Sequence, residues 1–168
     1  VRATGVNHVD LDMRSGVSRI DLKLPHILGR EFVGEVANIQ KNGSPFREGD
    51  RVWVVSRLNC FDCRYCHTGQ DNLCESRSSF GAHLPGGYAE QVKVPITSLR
   101  HLPEHITFEA GAAFQIAFGT AWHVLVSRSQ IKPGQRLLIL GAGSGVGSAA
   151  IQVGHLAGAT VFATSTSD

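Results

Sequence analysis

Cys60, Cys63, Cys66 and Cys74 are all the cysteines of the chain, and they fall in one stretch at the spacing C-x2-C-x2-C-x7-C. Zinc takes four thiolates tetrahedrally at about 2.3 Å with no directional d-electron demand, so one short loop folding back on itself can supply every ligand. Four protein ligands leave no position for water or substrate. The pattern therefore predicts one structural zinc per chain, holding residues 60–74 as a lobe rather than doing chemistry. Two disulfides are the alternative, but nothing else in the sequence suggests secretion.

A second chemical signal lies near the other end. The loop Gly141-Ala142-Gly143-Ser144-Gly145-Val146-Gly147 follows an apolar run at 136–140 that reads as a buried strand. It opens a segment at about 146–157 that reads as a helix, with Gly158 as its stop and a second strand at 160–164. A glycine loop between a strand and a helix lets bare backbone N–H groups approach a pyrophosphate. Gly141, Gly143, Ser144, Gly145, Val146 and Gly147 are thus candidates to bind a dinucleotide in the first β-α-β unit of a Rossmann fold. The register is G-A-x-x-G-x-G, one residue longer than G-x-G-x-x-G, and a glycine-rich turn without a ligand is the alternative.

These two signals need elements to position them. Residues 1 to about 103 read as short apolar runs, at 32–39, 51–55 and 88–94, punctuated by Gly, Pro and Asn, so this part is expected to be mainly β. Asn42-Gly43 and Pro85-Gly86-Gly87 are turn signals. From Phe108 the pattern lengthens: 109–114 and 120–127 read as helical, and Pro133-Gly134 closes the second of them. Phe114, Phe118 and Trp122 at i, i+4 spacing read as core. The expected domains are 1–115 and 116–168, with no internal repeat.

Composition bounds the function classes. With 42% hydrophobic and 18% charged residues the chain can build a core. A formal charge of +2 with scattered basic residues gives no nucleic-acid footprint. No apolar run reaches the roughly 18 residues that span a bilayer, and Val1-Arg2-Ala3-Thr4-Gly5 offers no signal-peptide core. A soluble, reduced, cytoplasmic protein is expected, without a membrane or nucleic-acid partner. The chain lacks an initiator Met and stops directly after an apolar segment, so both ends are expected to be cut.

The ordered motifs Gly5-Val6-Asn7-His8-Val9-Asp10, Pro25-His26-Ile27-Leu28-Gly29-Arg30-Glu31 with Gly34, Gly49-Asp50-Arg51-Val52, Asp71-Asn72-Leu73-Cys74, Gly86-Gly87-Tyr88-Ala89-Glu90 and Gly145-Val146-Gly147 carry a resemblance along the whole chain. The sequence resembles the zinc-containing medium-chain dehydrogenase/reductase superfamily, which includes zinc alcohol dehydrogenases and quinone oxidoreductases. That resemblance implies a mixed α and β fold: a GroES-like β-barrel catalytic domain, then the first β-α-β part of a Rossmann domain. It implies NAD(P)(H)-dependent hydride transfer to or from an alcohol or carbonyl, quinone or enone. The partners expected are a nicotinamide dinucleotide and a small-molecule substrate, with the full-length protein a homo-oligomer.

The departures are as informative. The family's catalytic zinc ligands carry over to Asn7, Arg30 and Ile116. An amide is a poor ligand for a borderline-soft cation, a guanidinium has no lone pair to give, and Ile offers nothing. The resemblance thus implies structural zinc without catalytic zinc, and G-V-N-x-x-D is similar to the quinone-reductase branch. A metal site rebuilt from His8, Asp10, Glu31 or His26 is the competing idea. Asn7, Asp10, Arg30 and Glu31 are the catalytic candidates. Arg30 would either neutralise a developing oxyanion or pair with Glu31 or Asp10. Asn7 and Thr120 are also candidates to face the nicotinamide, Thr120 having a plain helix-start role as its alternative.

The position where NAD enzymes of this family carry an acid for the ribose diol falls at Ser165, with Thr164, Thr166 and Ser167 around it. Thr164 and Ser165 are therefore cofactor candidates, and NADP(H) is expected over NAD(H). Asp168 falls past the strand end by this count. A zinc-stabilised GroES-like binding module without hydride chemistry is the alternative function, since half of a dinucleotide crevice lies beyond the second strand.

Overall fold

The computed structural model describes residues 1–40 and 43–166. Asn42 of the expected Asn42-Gly43 turn, together with Ser167 and Asp168, lies outside the described residues. The chain forms two compact units, Val1–Ala113 and Phe114–Asp168.

In the first unit the strands are β1 (Ala3–Gly5), β2 (Glu31–Glu35), β3 (Arg51–Val54), β4 (Arg57–Leu58), β5 (Ser78–Ser79) and β6 (Leu99–His101). Four of them form an antiparallel sheet in the order β1-β2-β3-β6, while β4 and β5 pair as a separate antiparallel ladder. Along β3, Val52 and Val54 are buried between half-exposed neighbours, as a period-2 strand requires; β2 is buried on both faces through Gly34. The core gathers Phe32, Val36, Phe46, Val52, Val54, Phe80 and Leu99, with Phe32 and Phe80 edge to face at 5.8 Å between centroids.

The expectation of a mainly β first part holds for 31–35 and 51–54 but omits helix α1 (His8–Ser15). Its start is written in Asn7-x-x-Asp10: the Asn7 N–H donates to the Asp10 carboxylate at 3.0 Å. Its end is Gly16, in the left-handed region at φ 76°. Only Asp10 and Met13 of this helix are buried, so its hydrophobic period is too faint to read. Two further short helices are α2 (Arg64–His67) and α3 (Phe108–Ala112), the latter capped by the Thr107 hydroxyl, which accepts from Ala110 N–H.

The expected strand at 88–94 is not formed. Val92 and Val94 pack on the core without joining the sheet. The turn expected at Pro85-Gly86-Gly87 is not formed either. Gly86, Gly87 and Tyr88 donate backbone hydrogen bonds to Ile27, Gly29 and Leu28 at 2.8, 2.8 and 3.0 Å. The glycines permit this approach: a Cβ at Gly86 would run into the Gly29 and Leu28 carbonyls, and one at Gly87 would meet the Phe32 ring at 2.5 Å.

In the second unit, α4 (Gln115–Trp122) continues into a π-helical segment, His123–Arg128, followed by β7 (Arg136–Ile139), α5 (Gly145–Leu156) and β8 (Thr160–Ala163). β7 and β8 pair in parallel from Arg136↔Thr160 to Ile139↔Ala163, with α5 as the crossover. Ala121, Leu125, Ile139, Ala149, Ala150 and Val153 form the core. The expected aromatic core at 114, 118 and 122 is corrected: Phe114 and Phe118 stack at 4.9 Å, but Phe114 and Trp122 are 53% and 55% exposed. Small Ala121 faces inward instead, letting α4 approach α5 closely.

Candidate active site and metal centre

The β4–β5 ladder brings together the two ends of the excursion that carries the cysteines, through Arg57↔Ser79 and Leu58↔Ser78. Within it Cys63 is the N-cap of α2, Cys66 lies on α2, and Cys74 follows a 3-10 turn at Asp71–Leu73. The four Sγ atoms lie within 4.8 Å of one another. Cys60–Cys74, Cys63–Cys66 and Cys60–Cys66 are 3.5, 3.6 and 3.9 Å apart. A zinc tetrahedron with 2.3 Å bonds has edges of about 3.8 Å, so the donors fit that ion. They do not fit the disulfide alternative: all four cysteines are free, and a bond needs about 2.05 Å.

Backbone geometry supports the same reading. Cys60 and Cys63 N–H donate to the sulfurs of Cys74 and Cys60, both at 3.3 Å. Phe61, between them, takes a left-handed φ of 58°, uncommon for a bulky residue. Backbone N–H groups of Cys66 and Glu75 pull the Cys63 thiol down to about 6, whereas burial and the neighbouring sulfurs push Cys66 up to about 12. Four thiolates in this space need a cation to coexist. Asn59 Nδ2 clasps Asp71 at 2.9 Å, and Arg64 is engaged by Tyr65 at 2.6 Å and Glu75 at 3.7 Å.

A second polar cluster is built from β1, α1 and β2. Glu31 opens β2 and is buried; its Oε2 accepts from Asn7 Nδ2 at 2.9 Å, and its carbonyl accepts from Thr4 Oγ1 at 2.9 Å. Gly5 makes room for this carboxylate, since a Cβ there would come within 3.1 Å of Glu31 Oε2. Asp10 is 2% exposed; one oxygen takes the Asn7 N–H, and Oδ1 has no hydrogen-bond partner among the described residues. Arg30 Nε is likewise buried and without one.

Burial lowers the Arg30 pKa, the Asp10 charge opposes that shift, and the positive charges of Arg57 and Arg77 add to it. Of the two carboxylates expected as partners, Asp10 bears on Arg30 through its charge, and Glu31 accepts from Asn7. The Tyr88 phenol is pushed up to about 12 by burial and by Asp10, and its ring lies where a Cβ at Gly29 would meet it at 2.5 Å. Sequence reasoning named Tyr88 only as a motif residue and did not assign Arg77; the signal was their place beside Gly29 and beside β5.

The structure does not gather the residues of the rebuilt metal site into one group. His8 is exposed and sits 3.7 Å from Asp12, and His26 Nε2 is buried without a partner. Among the described residues the only group of three or more metal-binding side chains is the four cysteines.

At the glycine loop, Gly141 takes φ +74°, and its N–H is fixed by Thr164 Oγ1 at 3.1 Å while Ala142 N–H meets the Thr164 carbonyl at 2.9 Å. Thr164 thus anchors the loop. Ser144 is the N-cap of α5, accepting from Gly147 N–H at 3.0 Å and donating to Gly141 O at 2.9 Å. Gly147 is buried, and a Cβ on it would collide with Gly141 O. By contrast, a Cβ on Gly143 meets nothing within 4 Å. Among the described residues the N–H groups of Gly143, Gly145 and Val146 carry no partner at the start of a twelve-residue helix. Three partnerless donors at a helix N-terminus suit an anion such as a pyrophosphate. Ser165 follows β8 and is exposed.

Ile116 lies in the first turn of α4, and Thr120 lies one turn later, with its hydroxyl donating to Ile116 O at 2.6 Å. Thr120 is therefore not at a helix start, which corrects that alternative. The structure brings Asn7, Asp10, Arg30 and Glu31 together in the first unit, and Gly141 to Gly147 with Thr164 in the second.

The alcohol dehydrogenase GroES-like domain family matches residues 1–104. Acryloyl-coenzyme A reductase of Metallosphaera sedula is 34% identical over 149 residues, covering 88% of this chain and 44% of that protein. Among solved structures, an NAD-dependent alcohol dehydrogenase superimposes with TM-score 0.92 at 40% identity, covering 98% of this chain and 48% of that one. A cobalt- and zinc-bound thermostable alcohol dehydrogenase from Pyrobaculum aerophilum superimposes with TM-score 0.89 at 33% identity, covering 98% and 49%. The chain spans about half the length of the relatives it matches. With the cysteine cluster, the GroES-like match and the strand–loop–helix–strand unit agreeing, the chain belongs to the zinc-containing medium-chain dehydrogenase/reductase superfamily.

Proposed function

We propose that the full-length protein is a nicotinamide-dependent reductase of a carbonyl-conjugated double bond, with one structural zinc at Cys60, Cys63, Cys66 and Cys74 and no catalytic zinc. The observation that carries the proposal is the cluster at Asn7, Asp10, Arg30 and Glu31: an amide spent on a buried carboxylate, and a guanidinium held beside a second one. These side chains supply hydrogen bonds and charge rather than a Lewis-acid ligand set.

The bound dinucleotide would supply the hydride. Gly143, Gly145 and Val146 would hold its pyrophosphate through their N–H groups, and Ser144 and Thr164 keep that loop in shape. Hydride addition to the β-carbon of an enone moves negative charge to the carbonyl oxygen, while the α-carbon takes a proton from solvent. Arg30 would stabilise that oxygen, and Asp10 with Tyr88 would keep the guanidinium in place. Asn7 and Thr120 remain candidates for nicotinamide contact. The M. sedula relative named as an acryloyl-coenzyme A reductase is consistent with this substrate class. NADP(H) is favoured over NAD(H), because residues 164–166 offer hydroxyls and no acid. The test is full-length protein assayed with NADPH on an enone and on the matched saturated ketone, alongside metal analysis. Turnover of the enone at one zinc per chain is expected; turnover of the ketone alone, or two zinc per chain, overturns the proposal.

A further inference from the structure

The apolar runs at 32–39 and 88–94 both read as strands, yet the sheet takes in 31–35 alone and leaves 36–39 and 88–94 outside it. Val92, Val94 and Ile96 pack on the core while Gln91, Lys93 and Pro95 are exposed between them, which is the period of a half-buried strand. The backbone of that stretch has almost nothing to hold. Among the described residues the N–H groups of residues 89–94 donate to no acceptor, and of their carbonyls only that of Glu90 accepts, from the Val1 nitrogen at 2.7 Å. The N–H groups of residues 37–40 likewise donate to none.

Both stretches line one groove of the first unit. Its volume is about 890 Å³, residues 36–40 and 90–96 form its sides, and Phe32, Val52, Val54 and Leu99 of the core lie along it. An apolar groove between two backbones with free donors and acceptors suits an extended chain, which pairs through its main chain and buries alternate side chains.

We propose that the groove is closed by β-strand addition from residues that precede Val1 in the full-length protein, an extended segment with apolar side chains at alternate positions. The course of β1 selects this occupant. Ala3 lies opposite Val33 in an antiparallel pair, and Arg2 N–H donates to Val33 O at 2.9 Å, so the strand followed backwards leads past Gly34 toward Glu35 and the groove. Val1 lines the groove, and its nitrogen at Glu90 O sets the preceding residue off beside 89–94. The chain spans about half the length of its relatives, which leaves the full-length protein chain enough to supply a strand. A tethered segment also meets the groove at an effective concentration of about millimolar, an advantage that a second copy or another protein lacks. Pairing here is independent of the hydride-transfer reading.

The test is amide hydrogen exchange on the full-length, zinc-loaded protein, joined to photo-cross-linking from Gln91→p-benzoylphenylalanine in a mixture of isotopically heavy and light chains. Neither readout needs turnover. Alternate amides within residues 89–94 should exchange about a hundredfold or more slower than the same residues in an unfolded chain. Cross-links should run from position 91 to residues before Val1, with both halves of each cross-linked pair carrying the same label. Exchange at the unfolded rate overturns the proposal, as does the absence of any cross-link. Pairs of mixed label would assign the groove to a second copy, and cross-links to another protein or to residues after Asp168 would assign it elsewhere; each of these results overturns the proposal as well.

Discussion

Replacing Gly147 by alanine puts a methyl group against the Gly141 carbonyl and 2.9 Å from Ser144 Oγ. Neither neighbour can yield alone. Gly141 O receives the Ser144 hydroxyl, and that hydroxyl caps Gly147 N–H, so moving either breaks the turn that starts α5. Overpacking of this kind costs about 1–3 kcal/mol. Loss of an N-cap adds about 0.5–2 kcal/mol. The expected destabilisation is then about 2–4 kcal/mol, read from urea midpoints of full-length protein at an unchanged denaturant slope. Gly143→Ala is the contrast. Its Cβ meets nothing within 4 Å, so stability should stay within about 0.5 kcal/mol, yet the methyl group occupies the space beside the free N–H groups and should weaken NADPH binding at least tenfold. If Gly143→Ala binds NADPH as tightly as the parent, the loop is a glycine-rich turn and not a phosphate cradle.

Elemental analysis should give one zinc per chain, and Cys74→Ser should lose the metal together with the order of residues 60–74, seen as protease cleavage confined to that lobe. In the full-length protein Asn7→Ala should reduce turnover or cofactor affinity more than Arg30→Ala does; a kinetically silent Asn7→Ala rejects its assignment. Ser165→Asp should shift preference toward NADH by about 1–3 kcal/mol in paired fluorescence titrations. The folded Tyr88 phenol ionises near 12 and the unfolded one near 10, so as pH rises the unfolded state loses its proton first and native stability falls across that interval. Tyr88→Phe should remove that part of the fall in alkaline unfolding curves.

Local signals survived the passage from sequence to structure where one short segment decides its own geometry. The cysteine spacing placed four sulfurs around one point, and the glycine loop set α5 within a residue of its expected start, at Gly145. Non-local features did not read out. Pro85-Gly86-Gly87 has turn chemistry, but its glycines serve the passage beside residues 27–29, a pairing that no local window contains. Helix α1 was hidden because only Asp10 and Met13 of it are buried, leaving no hydrophobic period, while its capping residues Asn7 and Asp10 also approach Glu31 and Arg30.

That double use bears on function. In a helix cap without other duties, Asn7 and Asp10 would be interchangeable with Ser, Thr or Glu. Here the Asn7 amide must also donate to a carboxylate that is 3% exposed, and Asp10 must also lie near a guanidinium. Hydrogen bonds to such charged groups are worth about 1.5–3 kcal/mol, more than the cap alone. The helix start is thus fixed by the site and the site by the helix start. A swap such as Asn7→Ser, which keeps a capping hydroxyl but shortens the reach to Glu31, should preserve most of the helix and lose the Glu31 contact. Hydrogen exchange at residues 8–15 measured beside steady-state kinetics separates the two roles; a variant with intact α1 and unchanged turnover would place the chemistry elsewhere.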